Sequence, residues 1–391
     1  MGIIELSDIT VRRGRNKVLD NWSLSVDSGE VVCLSGDNGC GKSTVIEAAA
    51  GLIPLENGSC KIYGQLIRDS QGRRGRANFG LCLQDDCIMG DELVSERILD
   101  AAGHDFDVES LLKEWGLEHR IHDRVAMLSG GQRRRVALLC GLVPAMISNE
   151  PVAILLDEPD SGLDDDSTEM LARTIRDLAA GQHTILVASH DSRIISCADR
   201  VIGFPFEEIK NEASEGKFKK IETLSKRNAY VGHRINARTL SGFANNGIAG
   251  LLTLGAMLAL LEPSQLEDRA LTGFLLAPAL AAGLCGNPLH TLLLENRAYA
   301  WWNTKSSIPP HALIHSFLMY AGLTILASTI TSDFDVKIIL AGALLGIVTE
   351  SVVGLISHST LRLSRPNAVM IRLLTPILIL PWALVVDTLT A

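Results

Sequence analysis

Two patterns of hydrophobic and polar positions divide this chain. Up to about residue 226, short apolar runs rich in β-branched residues, such as 31–35, alternate with stretches of helical period, such as 44–50. That alternation is typical of an α/β domain built on a parallel sheet. From about residue 242 onward the chain is mostly Leu, Ala, Ile, Gly and Val, with charges confined to short clusters. The pattern therefore predicts an α/β domain followed by an all-α region.

The second half contains five apolar stretches, at about 242–261, 270–287, 311–331, 336–357 and 367–387. Each is near the ~20 residues that cross a ~30 Å hydrocarbon core, so we expect five transmembrane helices, with six as the alternative. Basic residues cluster in the gaps on one side and acidic residues in the gaps on the other. The positive-inside rule then predicts a multi-pass protein of the cytoplasmic membrane with its first half in the cytoplasm. Buried helices of a soluble protein are the other interpretation.

A basic segment joins the two halves, from Lys217 through Arg227 to Arg238. We expect a helical linker that lies as an elbow on lipid headgroups, with a solvated linker as the alternative. The predicted domains are the α/β domain at 1–208, the linker at 209–240 and a transmembrane domain at 241–391.

Composition adds three expectations. The net charge of −9 gives no reason to expect a nucleic-acid partner. The eight cysteines show no C-x-x-C pair and no zinc spacing, so we expect reduced thiols. The first six residues lack the basic and apolar regions of a signal peptide and are typical of a strand.

The most specific chemistry lies at residues 36–44, where G-x-x-x-x-G-K-S follows a predicted strand and opens a predicted helix. Such a loop wraps phosphates with backbone N–H groups, because glycine lets the backbone approach closely. Lys42 would reach the β- and γ-phosphates of ATP, and the Ser43 hydroxyl would bind Mg²⁺. The predicted nucleotide-binding residues here are Gly36, Asn38, Gly39, Cys40, Gly41, Lys42, Ser43 and Thr44.

A second motif is the apolar run 154–156, which ends in the carboxylates Asp157 and Glu158. Asp157 is the expected Mg²⁺ partner, through water. Glu158 stands one residue further on, where a general base could polarise the attacking water.

Between these motifs lies L-S-G-G-Q at 128–132, followed by a basic helix. With this signature the chain resembles the ABC-transporter ATPase family over roughly residues 3–205. Ser129, Gly130, Gly131 and Gln132 at a helix N-terminus form a second anion site, which in the family serves the neighbouring subunit's ATP. The resemblance therefore implies a dimer with two ATP molecules between the subunits. A homodimer is the simplest form, and a heterodimer stays open.

The resemblance assigns further residues. Gln84 matches the glutamine that senses Mg²⁺ and couples to the membrane part, Asp164 matches the loop at the dimer interface, and His190 matches the histidine that contacts the γ-phosphate. The family often has an aromatic residue that stacks on adenine, but residues 11–15 read V-R-R-G-R. An arginine could stack on the base instead. The alternative is weak base selectivity, with GTP accepted as well as ATP. Cys40 could carry a thiol whose alkylation blocks nucleotide binding.

The segment 292–310 carries an acidic-basic, aromatic helix before two prolines. It resembles the coupling helix of ABC-2-type exporters and, loosely, the membrane subunit of the haem exporter of cytochrome c maturation. The alternative for Trp301 and Trp302 is simple anchoring at the membrane interface. Glu350 is the acid inside a predicted span and hence either a functional group or a hydrogen-bonding partner at a helix seam.

Together these patterns predict an ATP-driven exporter, a half-transporter whose substrate the sequence leaves open. The alternative is a membrane assembly ATPase of the haem-exporter type, which would work with additional membrane subunits and drive release of a haem chaperone.

Overall fold

The computed structural model describes residues 2–204, 207–211, 213–226, 231–288, 293, 297–305, 311–332, 334–361 and 379–390. Contacts divide the chain into two compact units. Unit 1 comprises Met1–Ala229 and Glu295–Ser307, and unit 2 comprises Tyr230–Leu294 and Ile308–Ala391.

Unit 1 is an α/β structure with twelve strands among its described residues. They are β1 (Ile4–Arg13), β2 (Asn16–Val26), β3 (Val31–Ser35), β4 (Asn57–Ile62), β5 (Gln65–Asp69), β6 (Gly80–Cys82), β7 (His104–Phe106), β8 (Ala153–Asp157), β9 (Thr184–Ala188), β10 (Arg200–Gly203), β11 (Glu207–Lys210) and β12 (Thr223–Lys226). One sheet has the order β2-β1-β4-β5, a second the order β11-β10-β3-β9-β8-β6, and β12 pairs with β7.

The six-stranded sheet positions the site. β10, β3, β9, β8 and β6 run parallel, and β11 closes one edge in the antiparallel direction. Every residue of β8 and β9 is buried, which explains their continuous apolar sequences. Because the strands are parallel, the residues that follow β3, β6, β8 and β9 all leave the same edge of the sheet, and ligands of such sheets bind at that edge.

The helices of unit 1 are α1 (Lys42–Ala49), α2 (Val94–Ala102), α3 (Val108–Glu114), α4 (Gly130–Met146), α5 (Asp165–Ala180), α6 (Ser192–Ser196) and, far along the chain, α9 (Ala298–Lys305). Side-chain caps start several of them. Ser129 and Gln132 form a reciprocal capping box on α4, and Asp164 accepts a hydrogen bond from the Ser167 N–H at the start of α5. Such caps satisfy N–H groups that lack a partner within the helix.

The first part of the predicted linker, residues 213–226, is not helical, whereas Arg234 and Arg238 lie in a helix. Residues 213–222 have no regular secondary structure, 223–226 form β12, and the next helix begins only at Val231. The Lys217 N–H donates to Asp177 at 2.6 Å, and the Phe218 ring stands edge-on to His183 at 5.0 Å. Backbone pairing and apolar packing against unit 1 therefore override the local helical pattern.

The described helices of unit 2 are α7 (Val231–Leu260), α8 (Asp268–Leu284), α10 (His311–Thr331), α11 (Val336–Leu361) and α12 (Ile379–Thr390). Within the described residues, three stretches are long and apolar enough to cross a membrane, Gly242–Leu260, Ile314–Thr331 and Val336–Ser357.

That number is smaller than the five or six spans predicted. The second expected span, α8, stops at Leu284, because Gly286 takes a left-handed φ of 77° and Pro288 follows two residues later. The fifth expected span, 367–387, lies partly outside the described residues, which resume at α12, a helix of 12 residues.

Candidate functional site

The phosphate loop occupies the turn between β3 and α1, as the sequence predicts. Gly36, Gly39 and Gly41 all have positive φ, and a Cβ on Gly41 would come within 2.9 Å of Val18 Cγ1. The Lys42 ammonium is folded back into the loop, where it donates to the carbonyls of Gly36 at 2.7 Å and Asp37 at 3.0 Å. These two hydrogen bonds satisfy the buried Lys42 cation. Phosphate oxygens of a nucleotide could accept the same hydrogen bonds in place of the carbonyls.

Of the three predicted Mg²⁺ partners, Ser43, Gln84 and Asp157, the first and the last lie in contact. Ser43 Oγ, at the start of α1, donates to Asp157 Oδ1 at 2.9 Å, at the end of β8. Burial, with the charges of Glu158 and Glu47, raises the pKa of Asp157 to about 6 despite the Ser43 bond. A hydroxyl and a buried, incompletely compensated carboxylate are oxygen ligands that suit Mg²⁺, so these residues fit the ion that the sequence predicts.

Gln84 and the proposed base Glu158 also meet. Gln84 Nε2, just after β6, donates to Glu158 Oε2 at 3.1 Å. Glu158 has a left-handed φ of 45°, unusual for a residue with a side chain, and its N–H donates to the Ala188 carbonyl at the end of β9. Strained backbone of this kind is concentrated at functional sites, and here it accompanies a carboxylate at the ligand-binding edge of the sheet.

Arg134 is a site residue to which sequence reasoning gave no role. Its buried guanidinium, on α4, donates to the carbonyls of Leu83 at 2.7 Å and Glu158 at 2.6 Å. It thereby joins the signature helix to the ends of β6 and β8 and holds the backbone of both Gln84 and Glu158. The run of three arginines at 133–135 was the signal, but the partners of a long side chain are set by the tertiary fold.

The signature and the loop before α5 face outward. Ser129, Gly130 and Asp164 are exposed, and a Cβ on Gly131 would meet the Gly162 carbonyl at 3.3 Å, so the two segments are neighbours. His190, two residues beyond β9, is also exposed and makes no hydrogen bond within the described residues. Each is accessible to a ligand or a second subunit.

The arginines expected to replace the base-stacking aromatic residue have carboxylate partners. Arg12 pairs with Glu56 at 2.8 Å and Arg13 pairs with Glu47 on α1. The side chains of Arg12 and Arg13 are each 48% exposed, and Arg15 is exposed.

The segment 297–305 is folded into unit 1. Trp301 and Trp302 are 2% and 4% exposed, and the Arg97 guanidinium lies 3.5 Å from the Trp301 ring centroid and 5.2 Å from that of Trp302. Arg97 also donates to the Cys87 carbonyl at 3.2 Å and pairs with Glu92 at 3.4 Å. A desolvated cation–π contact of this kind is worth about 2 kcal/mol.

Glu350, on α11 of unit 2, is buried at 3% exposure. It accepts hydrogen bonds from Ser316 Oγ at 3.1 Å and Tyr320 Oη at 2.8 Å, both on α10. The α10–α11 seam is close there, since a Cβ on Gly346 would overlap the Tyr320 ring.

Comparison with known proteins finds similarity over part of unit 1. Residues 19–161 match the family model described as ABC transporter. The macrolide export ATP-binding/permease protein MacB of Psychrobacter cryohalolentis is 30% identical over 212 residues, which cover 50% of this chain and 31% of that protein. The Nod factor export ATP-binding protein I of Sinorhizobium fredii is 33% identical over 196 residues, covering 48% of this chain and 55% of that protein.

Among solved structures, an ATP-binding subunit of an ABC transporter aligns with 60% of this chain and 94% of its own, at 24% identity and a TM-score of 0.44. The chain spans about a third of the length of the macrolide-export relatives that it matches. The sequence matches identify an ATPase domain of the ABC-transporter type in unit 1.

Proposed function

We propose that this chain is an ATP-hydrolysing exporter of the cytoplasmic membrane, with an ATPase domain at 1–208 that drives a transmembrane domain at 241–391. The observation that carries the proposal is the place of α9. The chain on both sides of this helix belongs to unit 2, yet residues 295–307 are part of unit 1. A segment that lies between apolar helices and folds into the ATPase unit is what a coupling helix requires.

The burial of Trp301 and Trp302 beneath Arg97 supports coupling over anchoring. Tryptophans that anchor a protein at the membrane interface lie at headgroup level, with the ring against lipid. Here both rings are buried, and the Arg97 guanidinium of unit 1 lies over the Trp301 ring. Arg97 also contacts the carbonyl of Cys87, three residues after Gln84, so motion of the 84–87 segment would reach α9 through a short path.

Hydrolysis would use the residues at the sheet edge. Glu158 would accept a proton from the attacking water. Gln84 and the backbone contacts of Arg134 would hold Glu158 in the orientation that this step requires. Lys42 would exchange its loop carbonyls for phosphate oxygens, and His190 would contact the γ-phosphate. Ser43 and Asp157 would hold Mg²⁺, which when bound neutralises charge on the phosphates.

A dimer follows from the number of motifs. The chain has one phosphate loop and one signature, and the exposed Ser129, Gly130 and Asp164 are available to a second subunit. We propose a homodimer that binds two ATP molecules between its subunits, each bound by the phosphate loop of one and the signature of the other; a heterodimer would use the same contacts.

Export across a membrane is supported by two observations. Large apolar side chains point outward along the three candidate spans, as lipid contact requires; they include Leu252, Leu260, Ile314, Leu318, Val336, Leu344 and Leu355. In addition, the macrolide and Nod factor relatives are named as export proteins.

The test is the ATPase rate of the full chain in lipid nanodiscs against a panel of haem, lipids and amphipathic drugs, with Glu158→Gln as the blank. Stimulation by one class, absent in the blank, is the expected result and would name the substrate class. A flat, low rate across the panel would contradict autonomous export and favour an assembly ATPase that needs additional membrane subunits.

A further inference from the structure

Glu47 lies on α1, the helix that begins with Lys42 and Ser43, and its two carboxylate oxygens are held by different arginines. Oε2 pairs with Arg13, at the end of β1. Oε1 accepts from Arg297 Nη2 at 2.8 Å, in the residue that precedes α9. The Glu47 side chain is 6% exposed, so neither oxygen is freely solvated. The phosphate-binding helix α1 is thus joined by an ion pair to residues 297–305, which we call the coupling segment.

Arg297 makes a second contact with the nucleotide site. Its Nη1 donates to Asp85 Oδ2 at 3.1 Å, and Asp85 follows Gln84, which binds Glu158. One guanidinium therefore spans α1 and the segment after β6. The φ of Arg297 is 58°, in the left-handed region. A residue with a side chain is held in that region only where its surroundings outweigh the backbone strain. Here the surroundings include two carboxylates.

We infer that Arg297 and Glu47 form a positioning pair through which the place of the coupling segment sets the affinity for MgATP. The inference rests on the proposed function and assigns residues that no motif contains. When Arg297 holds both carboxylates, α1 and the 84–85 segment have a fixed separation, with Lys42 and Ser43 on one side and Gln84 on the other. Displacing the coupling segment breaks both contacts, and the distance between α1 and the 84–85 segment is then free to change.

Thermodynamic linkage makes the effect reciprocal. If the intact pair favours MgATP binding, then MgATP binding must favour the docked coupling segment by the same factor. If the pair only held the coupling segment in place, its loss would lower folding stability and leave the affinity for MgATP unchanged. The geometry also sets a chemical requirement, because a lysine ammonium lacks the planar fork that reaches two carboxylates at once.

The experiment is a double-mutant cycle in the full chain in nanodiscs, in a Glu158→Gln background that prevents turnover. MgATP Kd is measured for the parent, Glu47→Gln, Arg297→Gln and the double variant. We expect each single change to weaken binding about five- to tenfold and the double variant to be no weaker than either single one, because the two residues act as one pair. Arg297→Lys should recover only part of the affinity.

The matched control is the Arg120–Asp123 ion pair of unit 1, whose side chains are joined at 2.9 Å. The changes Arg120→Gln and Asp123→Gln should leave the Kd within about twofold, as expected for a partly exposed ion pair. Thermal unfolding of every variant separates affinity from stability.

A second readout is hydrogen–deuterium exchange of peptides covering 297–305, with and without MgATP. MgATP should slow exchange there in the parent and not in Arg297→Gln. The inference is overturned if the single variants bind MgATP with the Kd of the parent, or if the effects of the two changes on the binding free energy simply add. It is also overturned if MgATP does not change hydrogen exchange of residues 297–305 in the parent. These outcomes are independent of the panel assay: an active, stimulated ATPase with a flat cycle would refute only the pair, and a chain that binds MgATP without hydrolysing it would refute only the proposed function.

Discussion

Arg97 and Trp301 stack at 3.5 Å between guanidinium and ring centroid, although one lies on α2 and the other on α9, with most of the chain between them. We predict that Arg97→Lys, which keeps the charge beside Glu92 but loses the planar face, loosens α9. Hydrogen exchange of peptides covering 298–305 should rise about 30-fold, which corresponds to the loss of a contact worth about 2 kcal/mol.

The control for this change is Arg173→Lys on α5, where the arginine side chain is 74% exposed and pairs with Glu169 on the surface. It should leave exchange in α9 unaltered. Unaltered exchange in Arg97→Lys as well would mean that shape alone holds the helix in unit 1.

Glu158→Gln should reduce ATP turnover at least about 100-fold, because an amide cannot take the proton from water. Nucleotide binding should persist, and the variant should accumulate as an ATP-bound dimer in size-exclusion chromatography with light scattering. Glu150→Gln, an exposed change in the loop before β8, is the control and should hydrolyse ATP normally. Normal hydrolysis in Glu158→Gln would overturn the role of Glu158 as base.

How far the sequence predicts this site depends on the range of the interactions. The phosphate loop, the strand-end carboxylates and the capped signature are local motifs, so their positions after β3, at the end of β8 and at the start of α4 follow from the chain itself. The contacts of Arg134 and Arg97 join carbonyls and rings from distant elements, and no local pattern marks them. The same limit explains the first part of the linker, where residues 223–226 pair with β7 as β12 instead of forming the predicted helix.

Cys40 should be the thiol of unit 1 that reacts with maleimide in the native protein. It is half-buried in the phosphate loop, whereas the six other thiols of unit 1 are buried. Burial raises the pKa of Cys33, Cys60, Cys87, Cys140 and Cys197 to about 12, and the thiolate is the reactive form. In a Cys285→Ser background, mass spectrometry should find one labelled site in the native protein. Labelling should abolish ATPase activity, and MgATP should protect Cys40 from labelling.

The control for labelling is Cys40→Ser, which should hydrolyse ATP and resist maleimide. Labelling of Cys40 that leaves ATP binding intact would show that the thiol points away from bound nucleotide.

Glu350→Gln should impair export while the protein still folds. The amide keeps the size of the side chain and one acceptor oxygen for Ser316 or Tyr320, so the α10–α11 seam should survive, whereas the ionisable group is lost. We expect substrate stimulation of the ATPase to fall about fivefold or more, in the range of coupling between sites. The exposed neighbour Ser351→Ala is the control. Full stimulation in Glu350→Gln would reduce Glu350 to a structural role.

His183 should make unit 1 less stable as pH falls. The ring is fully buried, its Nδ1 accepts the Val152 N–H at 3.1 Å, and burial lowers the pKa of His183 to about 4. The unfolded chain binds this proton below its ordinary pKa of about 6.5 and the folded chain only near 4, so the stability contribution is complete above pH 6.5 and is lost between pH 6.5 and 4. At about 1.36 kcal/mol per pH unit, the full loss is about 3 kcal/mol.

The measurement is urea unfolding of the full chain in detergent at pH 7, 6, 5 and 4, followed by hydrogen exchange of peptides from β8 and β9. His183→Gln is the matched variant, because its side-chain oxygen can accept the Val152 N–H and does not titrate. Carboxylates titrate alike in both proteins, so the difference between the two curves isolates His183. That difference should favour the wild type at pH 7 and shrink by about 3 kcal/mol by pH 4; parallel curves would assign the acid sensitivity to other groups.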